Sequence, residues 1–527
     1  MFHILITDPI SERGLDVLRK HDHVSVAIHT NLTSHELEKR IALFDGLLVR
    51  SQTNVTRRII EKAKKLKIIG RAGVGVDNID LDATTENGII VVNAPYGNIN
   101  SAAEHTMAMI MALSRNIPQA YSALKNKTWK RSKYVGVEIK NKTLGIIGLG
   151  RIGSEVAFRA KGQRMNVIAY DPFLTEEKAE KMGIEFATFP DVLQTADYIT
   201  VHTPLLKETR HLIDEKAFAM MKNGVYIVNC ARGGIIDEEA LYDALSAGKV
   251  AGAAIDVMED EPFYNHKLLD LPHVIATPHL GASTVEAQEN VAIDVAQDVL
   301  RYLTGDFVKN PVNLPSVPSD IFAQIKPYFD LAEKLGFFLI HLTDDAPEEV
   351  NIYYSGDVSN IPVSPITRNA VKGLLKRHLG HHVNDINALY FAEKKGIPIH
   401  ENRTSMTKGF TNLMTVEITT KSERRCVSGT LLDGLGARIV RVDHYSVDVK
   451  PEGHVVVIRH QDIPGVIGKM GSLLGKHRIN IATMQVNRSD IGGDAIMILT
   501  IDKFPEPRVF IALQQLKEIT DVTAVEL

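Results

Sequence analysis

Thr143-Leu-Gly-Ile-Ile-Gly-Leu-Gly-Arg-Ile-Gly153 is the stretch on which the fold of this chain turns. An apolar, strand-like run ends in Gly148, Gly150 and Gly153, and a second apolar run, Asn166 to Tyr170, closes on Asp171, 18 residues after Gly153. This is the layout of a parallel βαβ unit that holds a dinucleotide. One glycine makes a tight turn, one admits a pyrophosphate and one lets helix meet strand, while the carboxylate serves a ribose diol. Backbone N–H groups from Gly148 to Ile152 would face the pyrophosphate at a positive helix end, with the charge of Arg151 beside them. Asp171 suits the 2'- and 3'-hydroxyls and repels a 2'-phosphate, so NAD is expected rather than NADP. The plainer alternative leaves the glycines to a turn and Asp171 to cap it with Pro172.

The same alternation of strand and helix extends to both sides. Upstream, His3 to Thr7, Phe44 to Val49, Leu66 to Ile69 and Ile89 to Asn93 read as strands, and Ser11 can cap an intervening helix. A helix beginning near Ser101 crosses into the glycine-loop unit. That unit adds Tyr198 to His202, Val225 to Asn229, Gly252 to Asp256 and Val274 to Thr277, near-continuous apolar runs that fit a parallel sheet covered on both faces. The helix from Thr284 to about Leu303 is expected to return to the first unit, which makes that unit discontinuous and leaves a cleft. The reading is therefore α/β with two Rossmann-like units, residues 1–98 plus 285–310 and residues 99–284. Asn310 to Pro318 is broken by prolines and reads as a linker over 311–318. Residues 319–451 mix helices and strands, and residues 452–527 follow a βαββαβ order that can form a four-stranded sheet backed by two helices.

Composition narrows the classes. The chain has 527 residues, too many for one ordinary core, with 44% apolar and 24% charged residues. A net charge of −4 announces neither a nucleic-acid nor an anionic-membrane surface. Two cysteines, Cys230 and Cys426, are too few for a disulfide framework. With no long apolar run and no signal-like start, a soluble, cytoplasmic protein is expected. Nothing in the pattern calls for a metal.

Three residues at apparent strand ends carry chemistry: Arg232 in Asn229 to Asp237, Glu261 in Asp256 to Pro262, and His279 in Thr277 to Ser283. Open parallel sheets bind ligands at such ends. An imidazole can take a hydroxyl proton near neutral pH, a guanidinium forks onto a carboxylate, and a carboxylate behind the imidazole fixes its tautomer. Each is commonplace alone, as an arginine in a glycine turn, an acid before proline or a histidine after one. His202 could line the cleft or merely cap a strand.

Residues 1 to about 310 resemble the D-isomer-specific 2-hydroxyacid dehydrogenases. The resemblance lies in Gly70-Arg-Ala-Gly-Val-Gly-Val-Asp-Asn-Ile-Asp80, Asn93-Ala-Pro-Tyr-Gly-Asn98 with Ser101-Ala-Ala-Glu-His105, Leu144 to Gly153, Asn229 to Asp237, Asp256 to Pro262 and Pro278 to Thr284. It implies that Arg232 holds a substrate carboxylate and that His279, paired with Glu261, moves the proton. It extends the NAD contacts to His202, Thr203, Pro204, Cys230, Ala231, Asp256 and Gly281. It puts Arg50, Ser51, Gly73 and Val74 on the substrate side. Arg71, and Lys130 or Arg131 beside Trp129 from a neighbouring subunit, become candidates for a phosphate.

The tail is similar to the intervening and ACT domains of the long members of that family, through Ser428 to Leu431, Arg438 to Arg441, Asp448 to His454 and His460 to Gly465. Those members oxidise 3-phosphoglycerate to 3-phosphohydroxypyruvate at the entry to serine synthesis, and some are inhibited by serine. The resemblance implies a phosphorylated 2-hydroxy acid as substrate, a homotetramer, and L-serine as effector at His460, Asp462 and Asn480. An ACT sheet that only joins subunits is the competing expectation for the tail. For the whole chain the alternatives are a dehydrogenase of glycerate, lactate or 2-hydroxyglutarate, and an NAD sensor without turnover.

Overall fold

A computed structural model describes residues 1–527 except Asn265, Lys408 and the side chain of His381. Four sheets organise the described residues. The first is five-stranded and parallel, in the order Val24–Ile28, Phe2–Ile6, Gly46–Val49, Ile68–Arg71, Ile90–Asn93. Its strand Val24–Ile28 was not anticipated above. The helix Val285–Leu303 lies over this sheet. It is capped by Thr284, whose hydroxyl accepts the Ala287 N–H at 3.1 Å, and it buries Val291, Val295 and Val299 against Ile4, Leu15 and Ile68.

Seven parallel strands form the second sheet, in the order Val274–Ala276, Val250–Ile255, Val225–Asn229, Tyr198–Val201, Thr143–Ile147, Asn166–Tyr170, Glu185–Phe186. Helices cover both faces. The helix Ile99–Ser114 packs Ala103, Met107, Ile110 and Leu113 on Leu144, Ile146 and Val228, while Leu241, Leu245 and Phe218 close the opposite side over Ile199 and Ile227. Burial on both faces is why these strands read as unbroken apolar runs.

The proline segment is not a free linker. Val312 N–H donates to Val91 O at 2.7 Å, and the Asn313 side chain accepts the Val91 N–H at 2.9 Å, so its start is stitched to the edge of the first sheet. Asp298, 1% exposed, holds the approach by accepting the N–H groups of Lys309 and Asn310 at 3.1 and 3.0 Å. Proline withholds donors only at its own positions. Val312 and the amide side chain of Asn313 supply the bonds instead.

The third sheet is mixed. Glu349–Gly356 runs parallel to Ile399–Thr404 and antiparallel to Asn412–Thr419, and Arg424–Leu432, Gly436–Val442 and Tyr445–Val449 continue from there. Two helices, Pro327–His341 and Ser364–Leu379, pack together over it through Leu335, Phe338, Leu339, Ala370 and Leu374. The fourth sheet is antiparallel, in the order Ile481–Arg488, Asp494–Ile501, His454–Gln461, Ile519–Glu526. Its residues alternate between two cores. Val456, Ile458, Met497 and Leu499 meet the helices Val466–Lys476 and Pro507–Gln514, whereas Val455, Val457, Ile496, Ile498 and Val525 join the core of the third sheet. Among the described residues no helix is long and apolar enough to cross a membrane.

Candidate active site

The glycine loop leaves the C-terminal end of Thr143–Ile147. Gly148 has φ +95° and donates its N–H to Tyr170 O at 2.8 Å, and a Cβ there would lie 2.7 Å from His202 O. A left-handed turn against another backbone admits only glycine cheaply. The chain itself fills the space beside Gly153 as well, where a Cβ would stand 2.2 Å from Gly148 O. Gly150 differs, because a Cβ added there would meet nothing within 4 Å. It caps the helix Arg151–Gly162, so the open space lies at a positive helix end where a pyrophosphate fits.

Asp171 reaches back into this loop. Its Oδ2 accepts the Leu149 N–H at 2.9 Å and its Oδ1 the Phe173 N–H at 2.8 Å. Both bonds hold the half-buried carboxylate at the strand end where a ribose would lie. Thr203 Oγ1 is buried and has no hydrogen-bond partner among the described residues, a vacant polar atom suited to a ligand. These residues fit a dinucleotide. Pro204 is exposed beside them and Ile152 half-buried, and His202 Nε2 lies 3.1 Å from Thr200 Oγ1, with burial pushing this imidazole down to about 4. Arg151 points elsewhere. Its guanidinium sits 4.3 Å from the Tyr96 ring and 3.3 Å from the Tyr96 hydroxyl, drawn from the loop toward the first sheet's unit by the aromatic face.

The next strands deliver the candidate reacting groups. Val225–Asn229, Val250–Ile255 and Val274–Ala276 are adjacent and parallel, so Arg232, Glu261 and His279 all follow the same C-terminal edge. His279 has φ +55°, and its Nδ1 lies 2.8 Å from Glu261 Oε2. Glu261 Oε1 accepts the Met258 N–H at 3.1 Å. Burial alone would raise the Glu261 carboxyl, but the His279 hydrogen bond and charge and the Met258 N–H outweigh it and hold the group below the usual carboxylate range. The side chains remain 44% and 34% exposed, so the pair is open to solvent.

Asp256, expected at the nucleotide, is internal. It has no exposed surface, its Oδ1 accepts Thr277 Oγ1–H at 2.6 Å and Leu280 N–H at 2.7 Å, and its Oδ2 accepts Gly281 N–H at 2.8 Å. His105 Nε2 lies 3.2 Å from the same carboxylate. Burial would lift its proton affinity, but the donors from His105, Thr277 and Leu280 bring it below normal. The carboxylate is consumed in holding the turn that carries His279. Cys230, beside it, is a neutral thiol, pushed up to about 12 by burial and then by the charge of Asp256. Ala231 N–H is occupied by Asn229 Oδ1 at 3.0 Å.

Two guanidiniums form a cationic corner across the cleft. Arg232 donates from Nε to Asp77 Oδ2 at 3.0 Å and from Nη1 to Ala231 O at 2.6 Å. Arg71 is lowered to about 10, first by burial and then by the charge of Arg232, and its Nε lacks a partner among the described residues. Gly73, at φ +151°, lets the Arg71 guanidinium lie against the backbone, since a Cβ would stand 1.5 Å from Arg71 Nη1. Val74 O accepts from Asn93 Nδ2 at 2.5 Å. Arg50 is held by its own N–H to Asp8 Oδ2 at 2.5 Å with its guanidinium 3.3 Å from Pro9 O, and Ser51 is exposed next to it.

Comparison with known proteins gives this arrangement a family. Residues 107–281 match the NAD binding domain of the D-isomer specific 2-hydroxyacid dehydrogenases, residues 324–443 the D-3-phosphoglycerate dehydrogenase intervening domain and residues 454–519 the ACT domain. Along its full length the chain is 47% identical to a D-3-phosphoglycerate dehydrogenase of Bacillus subtilis, covering 99% of that protein. The chain belongs to the D-3-phosphoglycerate dehydrogenase family. A second relative of that name, from Methanocaldococcus jannaschii, is 44% identical with complete coverage of both chains. The D-lactate dehydrogenase of Aquifex aeolicus, solved with NAD and lactic acid, superposes with a TM-score of 0.54 at 30% identity, covering 60% of this chain and all of that one.

Within this phosphoglycerate dehydrogenase framework, two groups of candidate residues lie apart in the single chain. Lys130 and Arg131 are exposed after the helix Ile117–Lys125, which buries none of its residues, and no described hydrogen bond or ion pair ties them to the cleft. In the ACT sheet, His460 and Asp462 lie where Gln461 pairs with Asp494, whereas Asn480 accepts the Asp502 N–H at 3.2 Å beyond the opposite end of the strand Asp494–Ile501. Strand register separates them. His460 is 3% exposed with an unpartnered Nε2, and Asp462 is bonded to Arg488 at 2.8 Å and Gly492 N–H at 3.2 Å. Asp77, Tyr96 and His105 fell inside family motifs without being singled out, because their partners come from distant segments.

Proposed function

We propose that this chain oxidises 3-phospho-D-glycerate at C2 to 3-phosphohydroxypyruvate with NAD, the first step of serine biosynthesis. The observation that carries the reading is the His279–Glu261 pair at 2.8 Å on the strand edge that follows an open glycine loop. With Nδ1 turned to Glu261, Nε2 is left to take the C2 hydroxyl proton. Gly148, Gly150, Gly153, Asp171, Thr203 and the neighbouring His202 and Pro204 would hold NAD, which when bound supplies the acceptor for the hydride leaving C2. Arg232 offers a fork to the substrate carboxylate, while Arg71 and the backbone at Gly73 and Val74 add positive potential beside it. The proton on His279 then passes to solvent, so the substrate loses one hydride and one proton. A non-catalytic NAD sensor has no use for such a pair.

Self-association as a homotetramer is part of the proposal. Ile117, Tyr121, Leu124, Trp129 and Val135 are large, apolar and more than half exposed within one stretch of nineteen residues, which supports a subunit contact that would bring Lys130 and Arg131 toward a neighbour's phosphate site. L-serine as effector would require two ACT sheets, one giving His460 and Asp462 and the other Asn480. The test is NADH formation or consumption with a panel of phosphorylated and unphosphorylated 2-hydroxy and 2-keto acids, with and without serine. Faster turnover of lactate, glycerate or 2-hydroxyglutarate than of 3-phosphoglycerate would replace the substrate assignment.

A further inference from the structure

The turn that delivers Glu261 to His279 is anchored from outside the cleft. Glu238 opens the helix Glu238–Ser246 and accepts the Glu259 N–H on Oε1 at 2.7 Å, while its Oε2 lies 3.0 Å from His266 Nε2. The Glu259 side chain is itself occupied, by Arg210 at 3.2 Å and by His211. Met258, one residue earlier, gives its N–H to Glu261. There is little slack on this side, since a Cβ on Gly233 would stand 1.9 Å from Met258 O. Among the described contacts Glu238 touches neither His279 nor the Arg71–Arg232 corner.

We infer that Glu238 is a positioning residue for the acid–base pair: by fixing the Glu259 amide it sets the turn Met258–Glu261, and with it the meeting of Glu261 and His279. The inference rests on the reading of His279 as the group that moves the proton. The charged groups facing Glu238 are His266, Glu259 and Asp260, and burial together with the two carboxylates holds its carboxyl above the usual range against the pull of the Glu259 N–H and His266. Protonated or not, it keeps an oxygen that can accept the amide. The anchor therefore depends on an acceptor and not on a charge. Glutamine preserves it and alanine removes it.

The experiment compares Glu238→Ala and Glu238→Gln with the parent in the reduction of 3-phosphohydroxypyruvate by NADH across pH, together with hydrogen–deuterium exchange of the peptide spanning residues 257–262. In E238A, kcat falls about tenfold, as small misplacements of reacting groups do. The NADH KM stays within about twofold, because uniform binding is untouched. The alkaline limb of the reduction profile moves to lower pH, because an imidazolium has lost its carboxylate partner, and exchange in the peptide rises. E238Q keeps the parent limb and exchange. A fall in kcat without movement of the limb is the signature of a general packing defect and overturns the inference, as does E238Q matching E238A. If the parent itself turns over none of these acids, the functional reading falls, while the exchange comparison still judges the anchor.

Discussion

Asp256 and His279 are joined through the backbone as well as through the turn: Asp256 O accepts the His279 N–H at 2.9 Å, and the Asp256 carboxylate accepts the two amides that follow. The imidazole is thus placed by a residue with no surface of its own. Asp256→Asn would put an amide N–H against donors whichever way it turned. A buried donor left unsatisfied costs about 1–3 kcal/mol. We expect a lower midpoint of thermal unfolding and a loss of kcat, with the overall fold intact by circular dichroism.

His279→Ala should lower turnover by at least about a hundredfold while leaving NAD affinity near the parent value, as expected for loss of a general acid–base group. Stopped-flow turnover and fluorescence titration with NADH separate the two. Retention of turnover across pH would remove His279 from the role.

The lowered carboxyl of Glu261 fixes a sign. A carboxylate depressed by folding adds stability that is present above its unfolded value and is lost as pH falls through the lower, folded value. The stability difference between the parent and Glu261→Gln should therefore persist through the mildly acid range. It should close only below the ordinary carboxylate range. Urea unfolding at a series of pH values measures it.

Gly73→Ala tests the cationic corner without removing a charge. At φ +151° an L side chain is strained, and the new Cβ would occupy the place of Arg71 Nη1. Displacement of Arg71 should raise the substrate KM while NAD binding is unchanged. Arg232→Ala should do more, since a charge-assisted hydrogen bond contributes on the order of 1.5–3 kcal/mol, a loss of roughly ten- to a hundredfold in kcat/KM.

Asp171→Ala should weaken NAD and narrow its advantage over NADP, as the repulsion of a 2'-phosphate is removed. Isothermal titration with both nucleotides reads this. Unchanged discrimination would leave Asp171 as a brace for Leu149 and Phe173 alone.

What could be read in the residues is what depends on neighbours in sequence. The glycine loop, the strand ends carrying Arg232, Glu261 and His279, and the alternation of the last sheet all follow local patterns of glycine and apolar residues. The strand Val24–Ile28 had its own period-two signal in Val24, Val26 and Ile28, but its short polar flanks hid it. Partners contributed by distant segments were not legible. Tyr96 drawing off Arg151, His105 reaching Asp256, Asp77 meeting Arg232 across 155 residues, and the opposite placement of Asn480 and Asp462 all depend on tertiary register. The fastening of the start of the proline segment was hidden for a related reason, because its donors and acceptors match an edge that only exists once the first sheet has formed.

Val455, Val457, Ile496, Ile498 and Val525 lie on the side of the ACT sheet away from its own helices, within the core of the preceding domain. Excision of the tail at its sequence boundary would strip a greasy face from the remainder and leave it prone to clumping. Any role of His460 or Asp462 in binding an effector is better tested by changing them in the intact chain than by truncation.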